Sequence, residues 1–442
     1  MYFYSMIMHT QEKFLLLAGI FLFTAIAMIR CRKDSDSKFP IIDVQSPVPG
    51  SIFNVGDTIR LMASCRDDRQ IKYLQVTLID SEKKPVLPSI IINSPQNPYT
   101  LSTTFIIGDS LIESGTYELQ FQVSDGTNTV NSFVKIQLIG LPKRFLYPIV
   151  ISRPLSNELA AYAPDSSGQW NEIYSRQGDY IGTAVNSPFG YIYISGACTA
   201  SLDAFNLKLK QVEWSIPSQQ PSVHRWFESV SYHRPLLYVS YFEGYIKGFD
   251  ISGVNSFTTV TTANYFPKAS CLFNDNLAAA LYDKMSGSHA LAIYYLPGGS
   301  LKGLISPTPE IVALFQADKY HLICFGNQSG NGVIQEYDNR FGTLTLINQN
   351  INDSIFKVSA MDGNNYIFSG KSKLYWYSYA ENSLVDFISG IDKPMIACET
   401  VAKEVYVTTG LDIDIYSFPG GVLQKTIITP GKIVDLLLLY NK

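Results

Sequence analysis

The sequence lacks any long stretch of helical periodicity, and charge is sparse along it. Only 16% of its 442 residues are charged, the formal net charge is −4, and no basic cluster follows the first 40 residues. Domains that bind nucleic acid need a concentrated patch of Lys and Arg to neutralise phosphates. The composition therefore gives no electrostatic basis for a nucleic-acid partner, and we expect none.

The sequence has one long hydrophobic run, from Phe14 to Ile29, which follows Lys13 and precedes Cys31. Its length falls short of the about 20 residues that a spanning helix needs. Charge, then an apolar region, then a processing point is typical of a secretory signal. Positive residues flank the run on both sides, so an uncleaved membrane anchor stays open as an alternative.

The segment after this run, "CRKDSDSKFP", is polar and starts at Cys31. It resembles the N-terminus of a Bacteroidetes-type surface lipoprotein, in which a lipidated cysteine precedes acidic residues. Met28 fits the apolar position of such signals, whereas Ile29 and Arg30 depart from their small residues. The resemblance implies a signal peptide over 1–30, lipid attachment at Cys31 and a tether over 31–38. It also implies an outer-membrane or cell-surface lipoprotein, or a membrane anchor that faces the periplasm.

Cysteine is scarce in the rest of the chain, with five scattered residues: Cys65, Cys198, Cys271, Cys324 and Cys398. An odd, widely spaced set in an exported chain argues against a disulfide framework. Three of them, Cys198, Cys324 and Cys398, lie in or beside apolar strand-like runs. We interpret these three as small buried hydrophobic residues rather than metal ligands.

The first predicted unit covers residues 39–140 and consists of short runs of period two. "TYELQFQVSDG" places Tyr117, Leu119, Phe121 and Val123 on one side, and "DTIRLMASC" and "YLQVTLID" alternate in the same way. Alternation bounded by turn residues predicts strands with one buried face. The unit resembles the immunoglobulin-like β-sandwiches of bacterial surface proteins, although Cys65 has no partner for their inter-sheet disulfide.

The second predicted unit covers residues 141–442 and repeats one pattern seven times. Each copy is a strand ending in an aromatic, a turn and a further strand, with two more strands ahead of it. The aromatics recur every 39 to 45 residues: Tyr162, Phe205, Phe249, Tyr294, Tyr337, Tyr377 and Tyr416. Four strands in each repeat of this length predict a seven-bladed β-propeller.

The first repeat lacks one strand, and "KIVDLLLLYNK" at the C-terminus supplies a spare. We predict a three-plus-one closure in which residues 432–440 form the inner strand of the first blade. The unit resembles quinoprotein-like and surface-layer-type propellers, with "SLDAFNLKLKQVEWSI" as the most similar segment. The fold class is therefore all-β, an immunoglobulin-like sandwich followed by a propeller.

Catalytic and cofactor motifs are few. Trp214 alone stands near the docking position that quinoprotein dehydrogenases repeat, so we expect no cofactor. No G-x-S-x-G or calcium-loop motif occurs, and the four histidines after the signal, His224, His233, His289 and His321, are scattered along the sequence. We expect no metal site and no catalytic residue.

The face of the propeller formed by loops that lead into each inner strand is the predicted binding surface. Its candidate ligand-binding residues are Tyr180, Arg225, Trp226, Tyr265, Phe266 and Lys393. Aromatic faces with nearby donors suit sugars or peptides. The alternative is that these aromatics pack between neighbouring blades. The polar loops "DKMSGSH" and "GNQSGNG" lie on the same rim and are interpreted as flexible connections.

These patterns predict an exported, lipid-anchored protein whose propeller binds a carbohydrate, a peptide or an envelope protein without catalysis. Two alternatives remain open. The protein could be a hydrolase or lyase that acts on a polysaccharide in the propeller channel, or a structural subunit of an envelope complex. The first alternative requires carboxylates or histidines that converge on the channel, and the second a large apolar patch on the flank.

Overall fold

The computed structural model describes residues 38–154, 157–219, 224–392, 394–408 and 410–442, without the side chains of 349 and 350. Cys31, the hydrophobic run before it and most of the predicted tether lie outside these residues, as does Lys393. The regular structure in the described ranges is entirely β, and no helix there is long and apolar enough to cross a membrane.

The contacts divide the chain into two compact units, with the division between Pro142 and Lys143. Within its described residues, the first unit has eight strands, which are β1 (Ile41–Ser46), β2 (Ile52–Asn54), β3 (Thr58–Arg66), β4 (Tyr73–Ile79), β5 (Ile90–Asn93), β6 (Tyr99–Ile106), β7 (Gly115–Ser124) and β8 (Thr129–Ile139). One sheet has the order β1-β3-β6 and the other β2-β8-β7-β4-β5. All pairs are antiparallel except β2 with β8.

The core of the first unit follows the alternation seen in the sequence. On β7, Leu119, Phe121 and Val123 are buried, whereas the glutamines between them are partly exposed. On β3 the side chains of Ile59 and Leu61 are fully buried, and they belong to the same cluster. The predicted assignment of residues to the inner and outer faces of these strands is confirmed. Each large apolar side chain buried in this way stabilises the fold by about 1.5–3 kcal/mol.

The second unit contains seven four-stranded antiparallel sheets within the described residues. The first sheet comprises β9 (Phe145–Ser152), β10 (Glu158–Pro164), β11 (Trp170–Gln177) and β36 (Ile433–Tyr440); the second β12 (Gly182–Asn186), β13 (Tyr191–Ser195), β14 (Leu202–Asn206) and β15 (Gln211–Ile216); the third β16 (Phe227–His233), β17 (Leu236–Tyr241), β18 (Tyr245–Phe249) and β19 (Asn255–Val260); the fourth β20 (Tyr265–Phe273), β21 (Asn276–Asp283), β22 (His289–Tyr295) and β23 (Leu301–Thr308). The fifth sheet comprises β24 (Glu310–Gln316), β25 (His321–Gln328), β26 (Asn331–Asp338) and β27 (Thr343–Ile351); the sixth β28 (Lys357–Ala360), β29 (Asn365–Ser369), β30 (Lys373–Ser378) and β31 (Ser383–Ser389); the seventh β32 (Met395–Glu399), β33 (Glu404–Thr408), β34 (Asp412–Ser417) and β35 (Leu423–Ile428).

Each sheet from the second to the seventh is a meander of four consecutive strands, and its first strand contacts the first strand of the next sheet. Strand β36 takes the first position in the first sheet. It pairs antiparallel with β9 and also contacts β12 and β32. The predicted pairing of the C-terminal strand with the start of the unit is confirmed, and the resulting architecture is propeller-like.

The repeated aromatics lie in the third strand of each sheet, and the six from Phe205 to Tyr416 pack against the preceding sheet. Phe205 belongs to a cluster with Ile149 and Ile151 of the first sheet. Tyr294 packs in the same way with Tyr238 of the third sheet. The period of the sequence therefore has a physical cause, because one large ring per repeat fills the space between adjacent sheets.

The five cysteines of the described region are free, and all are buried except Cys198, which is half-buried. The interpretation of Cys324 and Cys398 as buried hydrophobic residues is confirmed. Cys198 differs because it lies in the turn between β13 and β14, where its backbone N–H donates to the carboxylate of Asp179.

Candidate functional site

Two adjoining cavities of about 670 and 770 Å³ open at one end of the second unit. We call them together the trough. Their walls come from segments that lead into the first strands β16, β20, β24 and β28, and from segments that join second and third strands. Three residues line both cavities: Lys268, His289 and Glu310. The smaller cavity is also lined by His224, Arg225, Glu228, Phe242, Phe266 and Tyr282.

The smaller cavity contains a carboxylate held between two cations. The side chain of Glu228 is only 2% exposed, and its carboxylate lies 3.0 Å from the ammonium of Lys268 and 3.7 Å from the guanidinium of Arg225. Burial of a carboxylate is unfavourable unless it is paired. Lys268 therefore stabilises Glu228, and the more exposed Arg225 guanidinium has donors left for a ligand.

Three aromatic rings form a row beside this group. The ring centroid of Phe266 lies 4.9 Å from that of Phe242 and 5.3 Å from that of Tyr282. Two ammonium groups cover the row: that of Lys284 lies 3.8 Å from the centroid of Phe242, and that of Lys268 lies 4.6 Å from the centroid of Phe266. Cation–π attraction of this kind fixes long lysine side chains in place.

Two histidines that are far apart in the sequence, His224 and His289, line the smaller cavity. His224 stacks on Phe242 and His289 packs against Tyr282. Burial lowers the pKa of His289; Glu310 opposes this effect, whereas Lys268 reinforces it. His289 is therefore largely neutral at pH 7. The sequence could not reveal this pair, because the segments that carry His224 and His289 come together only in the folded protein.

The larger cavity is mostly uncharged and presents one exposed aromatic residue, Phe356, which is 42% exposed. The backbone around Phe356 is held on both sides. The side-chain amide of Asn327 donates to the carbonyl of Ile355 at 3.0 Å and accepts from its N–H at 2.8 Å. The N–H of Phe356 donates to the carbonyl of Ser369 at 2.9 Å. The ring is thus exposed on a rigid frame, which reduces the entropy lost on binding.

Of the six predicted binding residues, Arg225 and Phe266 line the trough, while Tyr180 does not. The Tyr180 hydroxyl donates to the buried carboxylate of Asp435 at 2.7 Å, and Thr183 donates to the same oxygen at 2.8 Å. Burial, with the neighbouring charge of Asp435, raises the pKa of Tyr180 well above its usual range. Tyr180 joins the closing strand β36 to the second sheet.

Trp226 and Tyr265 do not line the trough either. The indole of Trp226 packs edge-on against Tyr241 and Tyr245, within the cluster between the second and third sheets. The Tyr265 hydroxyl lies 3.2 Å from that of Ser306. Trp226 therefore fits the alternative that these aromatics pack between neighbouring sheets. The sixth residue, Lys393, lies outside the described residues.

Sequence reasoning missed Glu228, Lys268, Phe242, Tyr282 and Phe356, all of which line the cavities. A charged residue inside an otherwise apolar first strand was an available signal, since Glu228 stands in "FESV" and Lys268 in "FPKAS". The polar loop "GNQSGNG" supplies residues 327–330 to the wall of the larger cavity. In the described part of the chain, no three His, Cys, Asp or Glu residues are grouped as metal ligands.

No protein-family model matches the sequence, and no curated protein is significantly similar to it. Among solved structures, a quinoprotein alcohol dehydrogenase-like protein from Bacteroides thetaiotaomicron has 11% identity and a TM-score of 0.46, covering 92% of this chain and 100% of that one. BamB from Moraxella catarrhalis has 10% identity and a TM-score of 0.42, covering 68% and 99%. The Swd1 β-propeller domain from Myceliophteria thermophila has 13% identity and a TM-score of 0.46, covering 58% and 89%. These likenesses are too distant to carry an argument about function.

Proposed function

We propose that the protein is a non-catalytic binding protein that holds its ligand in the trough of a seven-bladed β-propeller. Seven sheets with first strands in mutual contact support the blade number, and the β36–β9 pairing supports the three-plus-one closure. For the first unit we propose an immunoglobulin-like sandwich over residues 39–140, which acts as a spacer. Its two sheets of three and five strands support this assignment.

The exposed ring of Phe356 is the observation that carries the proposal. Single exposed apolar residues are common on protein surfaces, but an aromatic ring on the wall of a concave, rigid cavity is typical of a ligand contact. Gln328 and Ser329, which are also exposed, line the same cavity. An aromatic face beside amide and hydroxyl groups suits a carbohydrate or a peptide.

The test is a binding screen of the full chain in detergent micelles against oligosaccharides, peptidoglycan fragments and peptides, with product analysis of every hit. We expect binding without turnover, and we expect Phe356→Ala to weaken it at least about tenfold. Phe341→Ala is the matched control, because Phe341 is 75% exposed but lies on the β26–β27 turn, at the opposite end of the fifth sheet. Equal effects of the two substitutions would show that the trough is not the binding site.

A polysaccharide hydrolase or lyase is the second candidate, because Glu228, Glu310, His224 and His289 line one cavity. Such enzymes need carboxylates or histidines near the scissile bond. The ion pairs of Glu228 with Lys268 and Arg225 favour a structural role for this carboxylate instead. Release of shortened or unsaturated products in the screen would establish the enzyme and contradict the binding proposal.

We further propose that Cys31 carries a lipid and holds the protein at the outer membrane or cell surface, or at a membrane facing the periplasm. The support is the sequence pattern alone, since Cys31 lies outside the described residues. More than one acyl chain is needed for stable anchoring. Cells grown with radioactive fatty acid should label the wild-type protein but not Cys31→Ser, and equal labelling of both would contradict this assignment.

A further inference from the structure

Two cations, Arg225 and Lys268, and two carboxylates, Glu228 and Glu310, line the smaller cavity, and Lys284 adds a third cation beside it. Glu228 is shared by Lys268 and Arg225, and Lys284 stands at the rim above Phe242. The side chain of Arg225 is 51% exposed, so its guanidinium faces solvent on one side. A planar guanidinium is the side chain best matched to a carboxylate, because it can donate two parallel hydrogen bonds.

Lys284 is held in position before any ligand binds. Its backbone N–H donates to the carbonyl of Asn264 at 3.0 Å, and its ammonium donates to the carbonyl of Phe242. The ammonium has three donors, so it can bond to the Phe242 carbonyl and still contact a ligand. A cation fixed in this way loses little side-chain entropy when it binds an anion.

The two ends of the trough therefore differ in chemistry. At one end the ammonium groups of Lys268 and Lys284 cover the aromatic rings, so recognition there depends on charge. At the other end Phe356 is exposed beside Gln328 and Ser329, so recognition there depends on stacking and neutral hydrogen bonds. The whole chain has a net charge of −4, so attraction of an anion has to come from this local group.

We propose that the trough binds an acidic oligosaccharide, with a sugar carboxylate on Arg225 and Lys284 and a neutral sugar face on Phe356. This inference rests on the proposed binding function and specifies its ligand. A uronic-acid oligosaccharide carries flat apolar ring faces, hydroxyl groups and carboxylates in neighbouring units, which is the combination that the two ends of the trough require. An acidic peptide shares the carboxylates but lacks the ring faces with their surrounding hydroxyls.

The experiment is calorimetric titration of the full chain with hexamers of galacturonic, mannuronic and glucuronic acid, each compared with its methyl ester. Esterification removes the charge and keeps the sugar. We expect at least one acid to bind about tenfold more tightly than its ester, equivalent to about 1.4 kcal/mol. The preference should decrease as the salt concentration rises, because screening weakens exposed charge pairs.

Three variants locate the contacts. Arg225→Gln and Lys284→Gln should each reduce the preference for the acid over the ester, because each removes one of the two cations that contact the carboxylate. Phe356→Ala should weaken acid and ester by the same factor. Lys319→Gln, on the β24–β25 turn at the opposite end of the fifth sheet, is the control and should change neither. Arg225→Lys keeps the charge, so it should retain part of the preference if the guanidinium position is correct.

The results distinguish the acidic ligand from the binding function of the trough. If the esters bind as tightly as the acids and Phe356→Ala still weakens them, the acidic ligand is wrong and the binding function stands. If no hexamer binds and polyglutamate binds through Arg225 and Lys284, the ligand is a peptide and the oligosaccharide is wrong. If Phe356→Ala changes the affinity for no ligand, the proposed function itself fails.

Discussion

The ammonium of Lys268 lies 3.0 Å from the carboxylate of Glu228 and joins β20 to β16, the first strands of two neighbouring sheets. The carboxylate is almost fully buried, whereas the lysine reaches it from the wall of the trough. One pair therefore does two things: it neutralises a buried charge between sheets, and it places an ammonium group over the Phe266 ring.

Lys268→Met should destabilise the protein by about 1–3 kcal/mol, since it leaves a buried carboxylate short of its nearest partner. The double variant Lys268→Met/Glu228→Gln should recover part of this loss, because the buried charge is gone as well. Urea unfolding of the wild type, both single variants and the double variant forms a double-mutant cycle, which gives the interaction energy between Lys268 and Glu228. If the two single losses simply add, the pair contributes nothing to stability.

Tyr180→Phe should also lower the free energy of unfolding by about 1–3 kcal/mol, because it removes a donor from the buried carboxylate of Asp435. The substitution should leave ligand affinity unchanged, since Tyr180 does not line the trough. Tyr295→Phe is the control, because Tyr295 is largely exposed and its loss of a hydroxyl should be nearly neutral. Loss of affinity at unchanged stability would instead support the prediction that Tyr180 is a binding residue.

The closing strand should contribute strongly to stability. Leu438 on β36 is buried in the cluster between the first and seventh sheets, so Leu438→Ala should cost about 2–5 kcal/mol. Ile428→Ala provides the comparison, because Ile428 is 77% exposed on β35 and its truncation should change stability by about 0.5 kcal/mol or less. Thermal and urea unfolding of the two variants give the difference in their free energies of unfolding. Similar small effects would contradict a strong contribution of β36 to stability.

His233 should make the protein less stable in mild acid. Its Nε2 lies 3.2 Å from the carbonyl of Ser270, and burial lowers its pKa, although the bond to Ser270 opposes this effect. The folded state thus binds fewer protons than the unfolded state, in which histidine titrates at about pH 6.5. Stability should therefore fall as the pH drops through and below that value.

The measurement is urea unfolding at pH 7.5 and pH 5.5 for the wild type and His233→Gln. Glutamine keeps an amide donor for the Ser270 carbonyl but does not titrate. The variant should lose less stability between the two pH values than the wild type does. An equal loss in both proteins would mean that His233 has the same pKa in the folded and unfolded states. Comparing the loss of stability between the two pH values in the wild type with that in the variant removes the contribution of the other titrating groups.

The residues of the candidate site were only partly predictable. The sequence predicted a binding surface formed by loops that lead into first strands, and such loops do line the trough. It identified Arg225 and Phe266, but Tyr180 and Trp226 pack between sheets instead. An aromatic at the start of a first strand can turn towards the cavity or towards the neighbouring sheet, and local sequence does not distinguish these two directions.

The sequence by itself determined the all-β class, the inner and outer faces of β3 and β7, the seven repeats and the pairing of the C-terminal strand. These follow from local rules: period-two alternation specifies a strand with one buried face, and a ring repeated every 39 to 45 residues marks one sheet per repeat. Only the tertiary structure decided that Glu228 meets Lys268, that His224 and His289 line one cavity, and that Phe356 is exposed. These relationships join residues of different sheets. The distances between such residues depend on how neighbouring sheets pack around the propeller axis, and no short stretch of sequence encodes that packing.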